Sequence, residues 1–361
     1  MGSASADLMG FVESTCGGSA LRIEENLGAG YVRLRVAEAE RRQAKHDIRC
    51  IEDVVIEMLR NARDAGARHI YVASSREGDA RTIVMLDDGA GIPQGMHDMV
   101  FEARVTSKLE SVHIDRWGVH GRGMALFSIK ENVESATVVS SAPGKGSAIK
   151  VVSNVDKLSE RADQSTWPLV SRDEHGDEVC VRGPHNIIRT CAEFALEERE
   201  TCEVFLGSAA EIVATAHARA SCIRSDTDLL FIDDLSELDV LARLRVAADA
   251  TELLEQARAL GLEISERTAH RVISGQIKPL RNVIAHLLSV APRSQVQPEI
   301  DLLRAHKGLK MAKSDKDAFS REMEKAFSFV SSRYYVRLSR DPKVHVSANK
   351  ITVTFDVEDI D

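Results

Sequence analysis

The stretch that decides the fold begins at Ile51 and reads IEDVVIEMLRNARDAGA. Seven of its apolar residues recur at intervals of three and four, as they do along one face of an α-helix; they are Ile51, Val54, Val55, Met58, Leu59, Ala62 and Ala65. Glu57, Asn61 and Asp64 are spaced by four and three residues, so they form a second stripe beside the apolar one. We therefore expect a helix that buries its apolar stripe and ends at Gly66.

The second stripe contains a carboxylate and an amide one helical turn apart. Magnesium prefers hard oxygen ligands and keeps several waters, so one side-chain oxygen can be enough to hold it. A carboxylate and an amide held at the edge of a core could therefore coordinate Mg²⁺ and orient a water molecule. On this helix alone, a polar stripe that faces solvent is the better explanation, and the remaining motifs decide between the two.

The second motif follows a predicted strand at Thr82–Leu86, whose continuous apolar run is typical of a strand buried on both faces. The strand ends in the sequence DDGAG at residues 87–91. A carboxylate at a strand end, here that of Asp87, can accept a hydrogen bond from an exocyclic amine such as that of adenine. Gly91 lets the backbone approach a ligand closely. Alone, this sequence also suits an ordinary turn.

The third motif is rich in glycine, because Gly118, Gly121 and Gly123 precede an apolar helical segment. Free amides at a helix start bind anions, glycines let a phosphate come close, and Arg122 adds positive charge. The spacing is neither that of a Walker loop nor that of a dinucleotide-binding fingerprint. Before this motif, the polar stretch of residues 94–117 has the length of an active-site lid and contains the sequence TSK at 106–108.

A fourth motif, GKGS at residues 144–147, joins two predicted strands and by itself suits a hairpin turn.

In this order and at this spacing, the four motifs resemble the ATP-binding domain of the GHKL ATPases. That family includes gyrase-type topoisomerases, heat-shock-90 chaperones, histidine kinases and MutL-type mismatch-repair proteins. The sequence NARDAGA at 61–67 and the TSK sequence look most like the MutL-type branch, whereas the GxxGxG spacing looks closer to the chaperones. The resemblance covers residues 51–152 of the 361.

The resemblance implies a role for each motif. Glu57 would be the general base that activates water against the terminal phosphate of ATP, and Asn61 would bind Mg²⁺. Asp87 would bind the adenine amine, with Gly91 allowing close approach. Ser147 stands where the family commonly has threonine, near that aspartate, and keeps the hydroxyl group.

In the same resemblance, the glycine-rich motif would surround the phosphates of ATP, and the lid would add a lysine that contacts them. The residues assigned to these contacts are Gly118, Gly121, Arg122, Gly123 and Lys108. Asp88 stands where the family commonly has asparagine, which would add a negative charge near the nucleotide.

The composition is that of an ordinary globular protein, with 43% apolar residues, 29% charged residues and a formal net charge of −9. This balance argues against a coat of positive charge for indiscriminate binding to nucleic acid or membranes. No apolar run is long enough to span a membrane, and residues 1–25 lack the pattern of a secretory signal. The six cysteines have no CxxC spacing, which favours reduced thiols and a cytoplasmic location.

We predict an α/β fold, in which a Bergerat-type α/β sandwich binds ATP and precedes a small α/β region and a mostly helical C-terminal region. The predicted boundaries are an N-terminal segment at 1–30, the ATP-binding domain at 31–155, a linker and small α/β region at 156–235, and a basic helical region at 236–361. The first helix is predicted over Tyr31–Ile48, and a hairpin turn over Ser347–Lys350. Between Ser265 and His345 the sequence has 16 basic and 8 acidic residues. This excess of positive charge suits an acidic partner or a solvated surface equally.

The preferred function is Mg²⁺-dependent binding of ATP and slow hydrolysis to ADP and phosphate, coupled to lid closure. The resemblance implies that closure rearranges a domain or partner, either in a nucleotide-dependent homodimer or with a DNA or protein client. The alternative is an ATP-gated regulatory or DNA-binding protein with little turnover. Residues 253–275 permit a helix-turn-helix that presents Arg267, His270 and Arg271 to a major groove, although a plain helical hairpin fits somewhat better.

Two further motifs are weaker. Lys278, in the sequence SGQIK, resembles the lysine of a Gln-x-Lys loop with which some GHKL proteins touch the terminal phosphate. His46, in KHDIR, looks like a histidine-kinase phosphoacceptor, but it precedes Glu57 by only eleven residues. Kinases place a helical hairpin between the two, so we expect His46 to be a surface histidine.

Overall fold

Two units make up the structure, which is a computed structural model. It describes residues 23–36, 38–107, 113–115, 118–120, 123–172, 178–219, 234–290, 313–347 and 350–359. The units are Met1–Ala291 and Pro292–Asp361. The described strands of the first unit are β1 (Ile23–Gly28), β2 (Tyr31–Leu34), β3 (His69–Glu77), β4 (Ala80–Asp87), β5 (Val105–Thr106), β6 (His113–Asp115), β7 (Gly118–His120), β8 (Ser135–Ser141), β9 (Ser147–Asn154), β10 (Leu169–Arg172), β11 (Glu178–Arg182) and β12 (Glu203–Gly207). Its described helices are α1 (Glu38–Asp47), α2 (Ile51–Asp64), α3 (Ala125–Asn132), α4 (Ile187–Glu197), α5 (Ala209–Ala218), α6 (Val240–Val246), α7 (Ala250–Ala259), α8 (Glu266–Ile273) and α9 (Val283–Val290).

A five-stranded sheet in the order β12-β3-β4-β9-β8 forms the centre of the first unit. β12 runs parallel to β3, and the other neighbours are antiparallel. Along β3, Ile70 and Val72 enter the core on one face, whereas Tyr71 and Ala73 enter the core on the other. The apolar run predicted as a strand at Thr82–Leu86 lies in the central strand β4, buried on both faces as its composition indicates.

Helix α2 packs on one face of this sheet and contacts α3 and α4. Its apolar stripe is buried as the spacing predicts, and Ile51, Val54 and Leu59 are fully covered. The helix ends at Asp64, and the chain reverses at Gly66, whose φ of 75° suits glycine. Side chains of α5 to α8 cover the opposite face of the sheet. This arrangement confirms the predicted α/β sandwich.

The predicted helix over Tyr31–Ile48 is wrong in its first part, because Tyr31–Leu34 forms strand β2. This strand lies between β1 and β5 in a three-stranded antiparallel sheet, with Tyr31, Val32 and Leu34 buried. Aromatic and β-branched side chains suit a buried strand, and the helical composition begins only at Glu38, where α1 starts.

The division of the chain differs from the predicted boundaries at residues 30, 155 and 235. The first hairpin, β1–β2, crosses residue 30. Strand β12 lies in the predicted small α/β region, yet it pairs with β3, while α4 packs against α2. Residues after 155 thus complete the central sheet, because β3 would otherwise present unpaired backbone groups along its edge.

The second unit consists, in its described part, of one long helix and four short strands. These are α10 (Lys313–Tyr334), β13 (Val336–Leu338), β14 (Lys343–Ser347), β15 (Lys350–Thr354) and β16 (Val357–Asp359). β14 and β15 form an antiparallel hairpin in which Ser347 pairs with Lys350, at the predicted turn. Phe327 of α10 stacks on Phe355, with 5.2 Å between the ring centroids. Across the described residues of both units, no helix is long and apolar enough to cross a membrane.

Asp88 ties the loop after β4 to the start of β3. Its Oδ1 accepts hydrogen bonds from the backbone N–H groups of Arg68 at 2.7 Å and of His69 at 2.8 Å. Its Oδ2 lies 2.6 Å from Nδ1 of the His69 ring. Burial alone would raise the pKa of Asp88, but these hydrogen bonds outweigh it and hold the pKa below its ordinary value.

This network predicts a pH-dependent contribution to stability. A carboxyl group whose pKa is lower in the folded chain stabilises the fold above its unfolded pKa, and that contribution is lost as the pH falls through the folded pKa. We expect Asp88→Asn to lower the thermal unfolding midpoint at neutral pH, and the deficit to shrink below a pH of about 4, the ordinary value for aspartate. Thermal melts followed by circular dichroism measure this.

The exposed Asp79, in the turn between β3 and β4, supplies the matched control. Asp79→Asn should leave the midpoint close to that of the parent at both pH values. A deficit for Asp88→Asn that stays constant into acid would show that the ionised carboxylate is not its source.

Candidate nucleotide-binding site

A cavity of about 570 Å³ lies beside helix α2. Volumes of this order hold small molecules and cofactors. Its walls come from α1, α2, the end of β4, the loop that follows β4, residues 104–107, residues 123–128 and the start of β9. The motif residues that line it are Glu57, Asn61, Asp87, Gly91, Gly123 and Ser147. The four sequence motifs therefore meet at one cavity.

The carboxylate of Asp87 is fixed at the end of β4 and is only 4% exposed. Its Oδ1 accepts a hydrogen bond from the Gly89 N–H at 2.8 Å. Its Oδ2 accepts a hydrogen bond from the hydroxyl of Ser147. Ser147 comes into reach because β9 pairs with β4 in a register that sets Ser147 opposite Asp87. The two groups thus form a preorganised acceptor for a donor in the cavity.

Two glycines interlock the loop after β4 with the turn between β8 and β9. Gly91 has a φ of 70°, and a Cβ there would lie 2.0 Å from the carbonyl oxygen of Ala142. Gly146 has a φ of 73°, and its Cβ would lie 2.0 Å from the carbonyl oxygen of Asp87. Both glycines are therefore required by the packing of the protein itself. The GKGS sequence is a hairpin turn, and it also holds the second motif in place.

The polar stripe of α2 lines the cavity, as its spacing predicts. Glu57 is not isolated, because Oε1 of its carboxylate lies 2.5 Å from Nη1 of Arg60 one turn later. Arg60 is 4% exposed, so this ion pair is largely shielded from water. The buried Nδ2 of Asn61 has no hydrogen-bond partner among the described residues. Buried polar groups in proteins are nearly always paired, so this amide is suited to a ligand.

The described charges around the cavity are mostly negative. Among the described lining residues, five carry carboxylates and two carry guanidinium groups; they are Glu40, Asp47, Glu57, Asp64 and Asp87, and Arg60 and Arg104. An anionic triphosphate alone would be repelled by this excess of negative charge. The donor set fits Mg²⁺, which needs few protein oxygens and keeps its own waters, and Asn61 would supply one such oxygen.

The lid and the glycine-rich segment are described only in part. Thr106, Ser107 and Gly123 line the cavity, and Gly123 has a φ of 67°. Burial raises the pKa of the Tyr31 phenol, against a hydrogen bond with Ser107 that lowers it. Gly118 lies in strand β7, which pairs with β6, so it does not directly open a helix as the spacing suggested. Lys108, Gly121 and Arg122 lie outside the described residues.

Three other expectations concern Asp88, Lys278 and His46, and the structure bears out only the last. Asp88 is not among the described residues that line the cavity, because its carboxylate turns away to the start of β3. The expected negative charge near the nucleotide is therefore wrong. Lys278 follows α8 in an exposed loop, and it too is absent from the described lining. His46 is exposed in the last turn of α1, as expected for a surface histidine.

Sequence reasoning missed Tyr31, Glu40, Arg60 and Arg104 as cavity residues. Arg60 carried one usable signal, because it stands three positions after Glu57 and such residues are neighbours on a helix. The other three come from α1, β2 and the residue before β5. No local pattern connects these elements to α2, and only the folded chain brings them together.

Residues 46–157 match the family described as histidine kinase-, DNA gyrase B-, and HSP90-like ATPases. Over 82 residues, 22% of this chain, the sequence is 40% identical to the DNA mismatch repair protein MutL of Thermus aquaticus, in a match that covers 15% of that protein. MutL of Acidiphilium cryptum is 40% identical over 99 residues, 27% of this chain and 17% of the relative. MutL of Lactobacillus helveticus is 34% identical over 95 residues, 25% of this chain and 15% of the relative.

The chain thus spans less than a fifth of the length of these curated relatives. The matched residues 46–157 contain the polar stripe of α2, the end of β4 and the start of β9, which line the cavity. Within this stretch the chain matches the ATPase domain of the GHKL family, and its sequence is similar to that of the MutL proteins.

Proposed function

We propose that this chain binds ATP with Mg²⁺ in the cavity beside α2 and hydrolyses it slowly to ADP and phosphate. The observation that carries the proposal is the convergence of Glu57, Asn61, Asp87, Gly123 and Ser147 on one cavity from four separate elements. Phosphoryl transfer to water asks a protein chiefly for positioning and charge neutralisation, and these residues supply both.

Asp87 holds the adenine ring. Its carboxylate is oriented by Ser147 and Gly89, so an oxygen of fixed position is ready to accept the exocyclic amine. Met58, Met85 and Ile149 contribute apolar surface to the same cavity, which suits the faces of a purine ring. Specificity for adenine then comes from one buried acceptor, because a base without that amino group cannot donate to it.

Glu57 removes a proton from the attacking water. The water oxygen bonds to the terminal phosphorus, the bond to the bridging oxygen breaks, and ADP leaves. When bound through Asn61, Mg²⁺ neutralises charge on the phosphates. The ion pair with Arg60 holds the Glu57 carboxylate in place on α2.

Two variants separate binding from hydrolysis. We expect Glu57→Ala to bind ATP as the parent does and to lose hydrolysis by about 100-fold or more, a typical contribution of a general base. Asp87→Asn should instead weaken ATP binding by roughly 10-fold, because one of the two acceptor oxygens is replaced by an NH₂ donor that opposes the adenine amine. Calorimetry and phosphate release measure the two effects. Hydrolysis at the parental rate by Glu57→Ala would exclude Glu57 as the base.

The proposal includes coupling of the nucleotide to a rearrangement of the lid and of a partner. Thr106 lines the cavity and is also the residue of β5 that pairs with Val32 of β2. Tyr31 of the same strand lines the cavity and is a hydrogen-bonding partner of Ser107. A ligand that repositions residues 106–107 therefore acts directly on the sheet of β1, β2 and β5.

We expect this coupling to control assembly into a homodimer. The apparent mass of the purified chain, measured by size exclusion with light scattering, should rise with a non-hydrolysable ATP analogue and not with ADP. Glu57→Ala serves as a control that retains ATP without turnover, so ATP itself should act on it as the analogue does on the parent. One mass in all nucleotide states would remove the homodimer from the proposal.

DNA binding is a second candidate function. Helices α7 and α8 pack against each other and are joined by residues 260–265, with a φ of 79° at Gly261. Ala269 and Val272 of α8 are buried, whereas Arg267, His270 and Arg271 form an exposed stripe on its other side. Such a stripe can contact phosphates or base edges of a duplex. The relatives, which are named as DNA mismatch repair proteins, add a reason to test it.

The test uses fluorescence anisotropy with labelled duplex DNA at low and physiological salt. The double variant Arg267→Ala with Arg271→Ala should weaken binding by roughly 10-fold or more and flatten its salt dependence, because phosphate contacts release counterions. Arg199→Ala is the control, because Arg199 pairs with Glu178 and does not belong to α8. It should change neither the affinity for duplex DNA nor its salt dependence. Equal affinities for all three proteins would reject this surface, and a parent that does not bind duplex would reject the function.

A further inference from the structure

Arg104 is held in an unusual backbone conformation at the wall of the cavity. Its φ is 64°, in the left-handed region that residues other than glycine rarely adopt. Its N–H donates to the Gly123 carbonyl at 2.8 Å, and its carbonyl accepts from the Leu34 N–H at 3.0 Å. Backbone strain that the surroundings maintain in this way is concentrated at functional positions. Glycine would adopt this φ without strain, so an arginine at this position indicates a role for its side chain.

The guanidinium group of Arg104 is buried and incompletely paired. Its side chain is 6% exposed, and its Nη2 donates to the carboxylate of Glu40 on α1. Its Nε is buried and has no hydrogen-bond partner among the described residues. Nε and Nη2 form one edge of the guanidinium, and that edge can donate to two oxygens of a single carboxylate or phosphate. Half of this edge is therefore left without an acceptor.

A phosphate group would satisfy this edge better than Glu40 does. In this structure Glu40 engages only Nη2, whereas a phosphate can accept from both donors of the edge and carries more negative charge than a carboxylate. The side chain of Glu40 is 36% exposed, so water can solvate its carboxylate once it leaves Arg104. Gly123 lies against the backbone of Arg104 and accepts its N–H, which places this arginine beside the segment assigned above to the phosphates.

We propose that Arg104 binds the terminal phosphate of the nucleotide and exchanges the carboxylate of Glu40 for that phosphate. This inference rests on the proposed function, because it takes ATP as the ligand. ADP lacks the terminal phosphate and leaves Arg104 on Glu40. The exchange thus distinguishes ATP from ADP, and it releases α1 from residue 104 only in the ATP state.

Isothermal titration of the full chain with a non-hydrolysable ATP analogue and with ADP, each with Mg²⁺, tests the exchange. Arg104→Met should weaken binding of the analogue by about 10-fold or more and change ADP binding by less than about 2-fold, because a charge-assisted contact to one phosphate is lost. Arg104→Lys keeps the charge and the backbone strain but loses the two-pronged edge, so it should lie between the parent and Arg104→Met. Glu40→Gln removes the competing charge and should tighten binding of the analogue alone.

Arg81→Met is the matched control. Arg81 is also a buried arginine, paired through Nε with Glu160 at 2.7 Å, and it is absent from the described cavity lining. Its variant should lose thermal stability and keep both affinities. If Arg104→Met and Arg104→Lys behave as Arg81→Met does, or if Glu40→Gln weakens binding of the analogue, Arg104 is a structural ion pair and the inference fails. A parent chain that binds neither nucleotide would instead overturn the proposed function.

Discussion

The burial of β4 between two layers of helices is the constraint on which the rest of the first unit depends. This strand is hydrogen-bonded on both sides, to β3 and β9, and its side chains enter a core on each face. It therefore has little freedom to shift, and the carboxylate that emerges at its end is fixed with it. The interlocked turns at Gly91 and Gly146 close over that end. A buried acceptor of defined direction follows from the packing.

Charge is arranged in the cavity as pairs rather than as a uniform field. The two described cations, Arg60 and Arg104, are both buried and each contacts a carboxylate. A buried guanidinium without a counter-ion would be costly, so these pairs keep the ligand-free fold stable. They also mean that a triphosphate competes with carboxylates of the protein for the same donors. Under the proposed function, binding of such a ligand would change contacts within α2 and between residue 104 and α1.

The two faces of the central sheet pack against different layers, and only one of them borders the cavity. The cavity lies on the side of α2, whereas α5 to α8 cover the other side. Strand β9 has contacts on both sides. Ser147 at its start donates to Asp87 at the cavity, and Nζ of Lys150 lies 2.6 Å from the carboxylate of Glu263. Glu263 lies in the connection between α7 and α8. The connection that leads into α8 thus contacts the strand that carries Ser147.

Much of the site was determined by local sequence. The spacing of apolar residues in α2, the apolar run of β4 and the turn residues after each strand depend on the period of the element itself. The assignment of Glu57, Asn61, Asp87 and Ser147 to one cavity came instead from the resemblance of the ordered motifs to the GHKL ATPases, since each motif alone also suits a turn or a solvent-facing stripe. The fold class followed from the same patterns.

The tertiary structure decided what depends on contacts between distant parts of the chain. Tyr31–Leu34 is a strand because β1 and β5 supply its partners, although the residues after it are helical. Asp88 faces His69 instead of the cavity because two backbone N–H groups there compete for its carboxylate. β12 joins the sheet because the edge of β3 needs a partner. Backbone pairing and the direction of a side chain are set by neighbours in space, and no local period in the sequence encodes them.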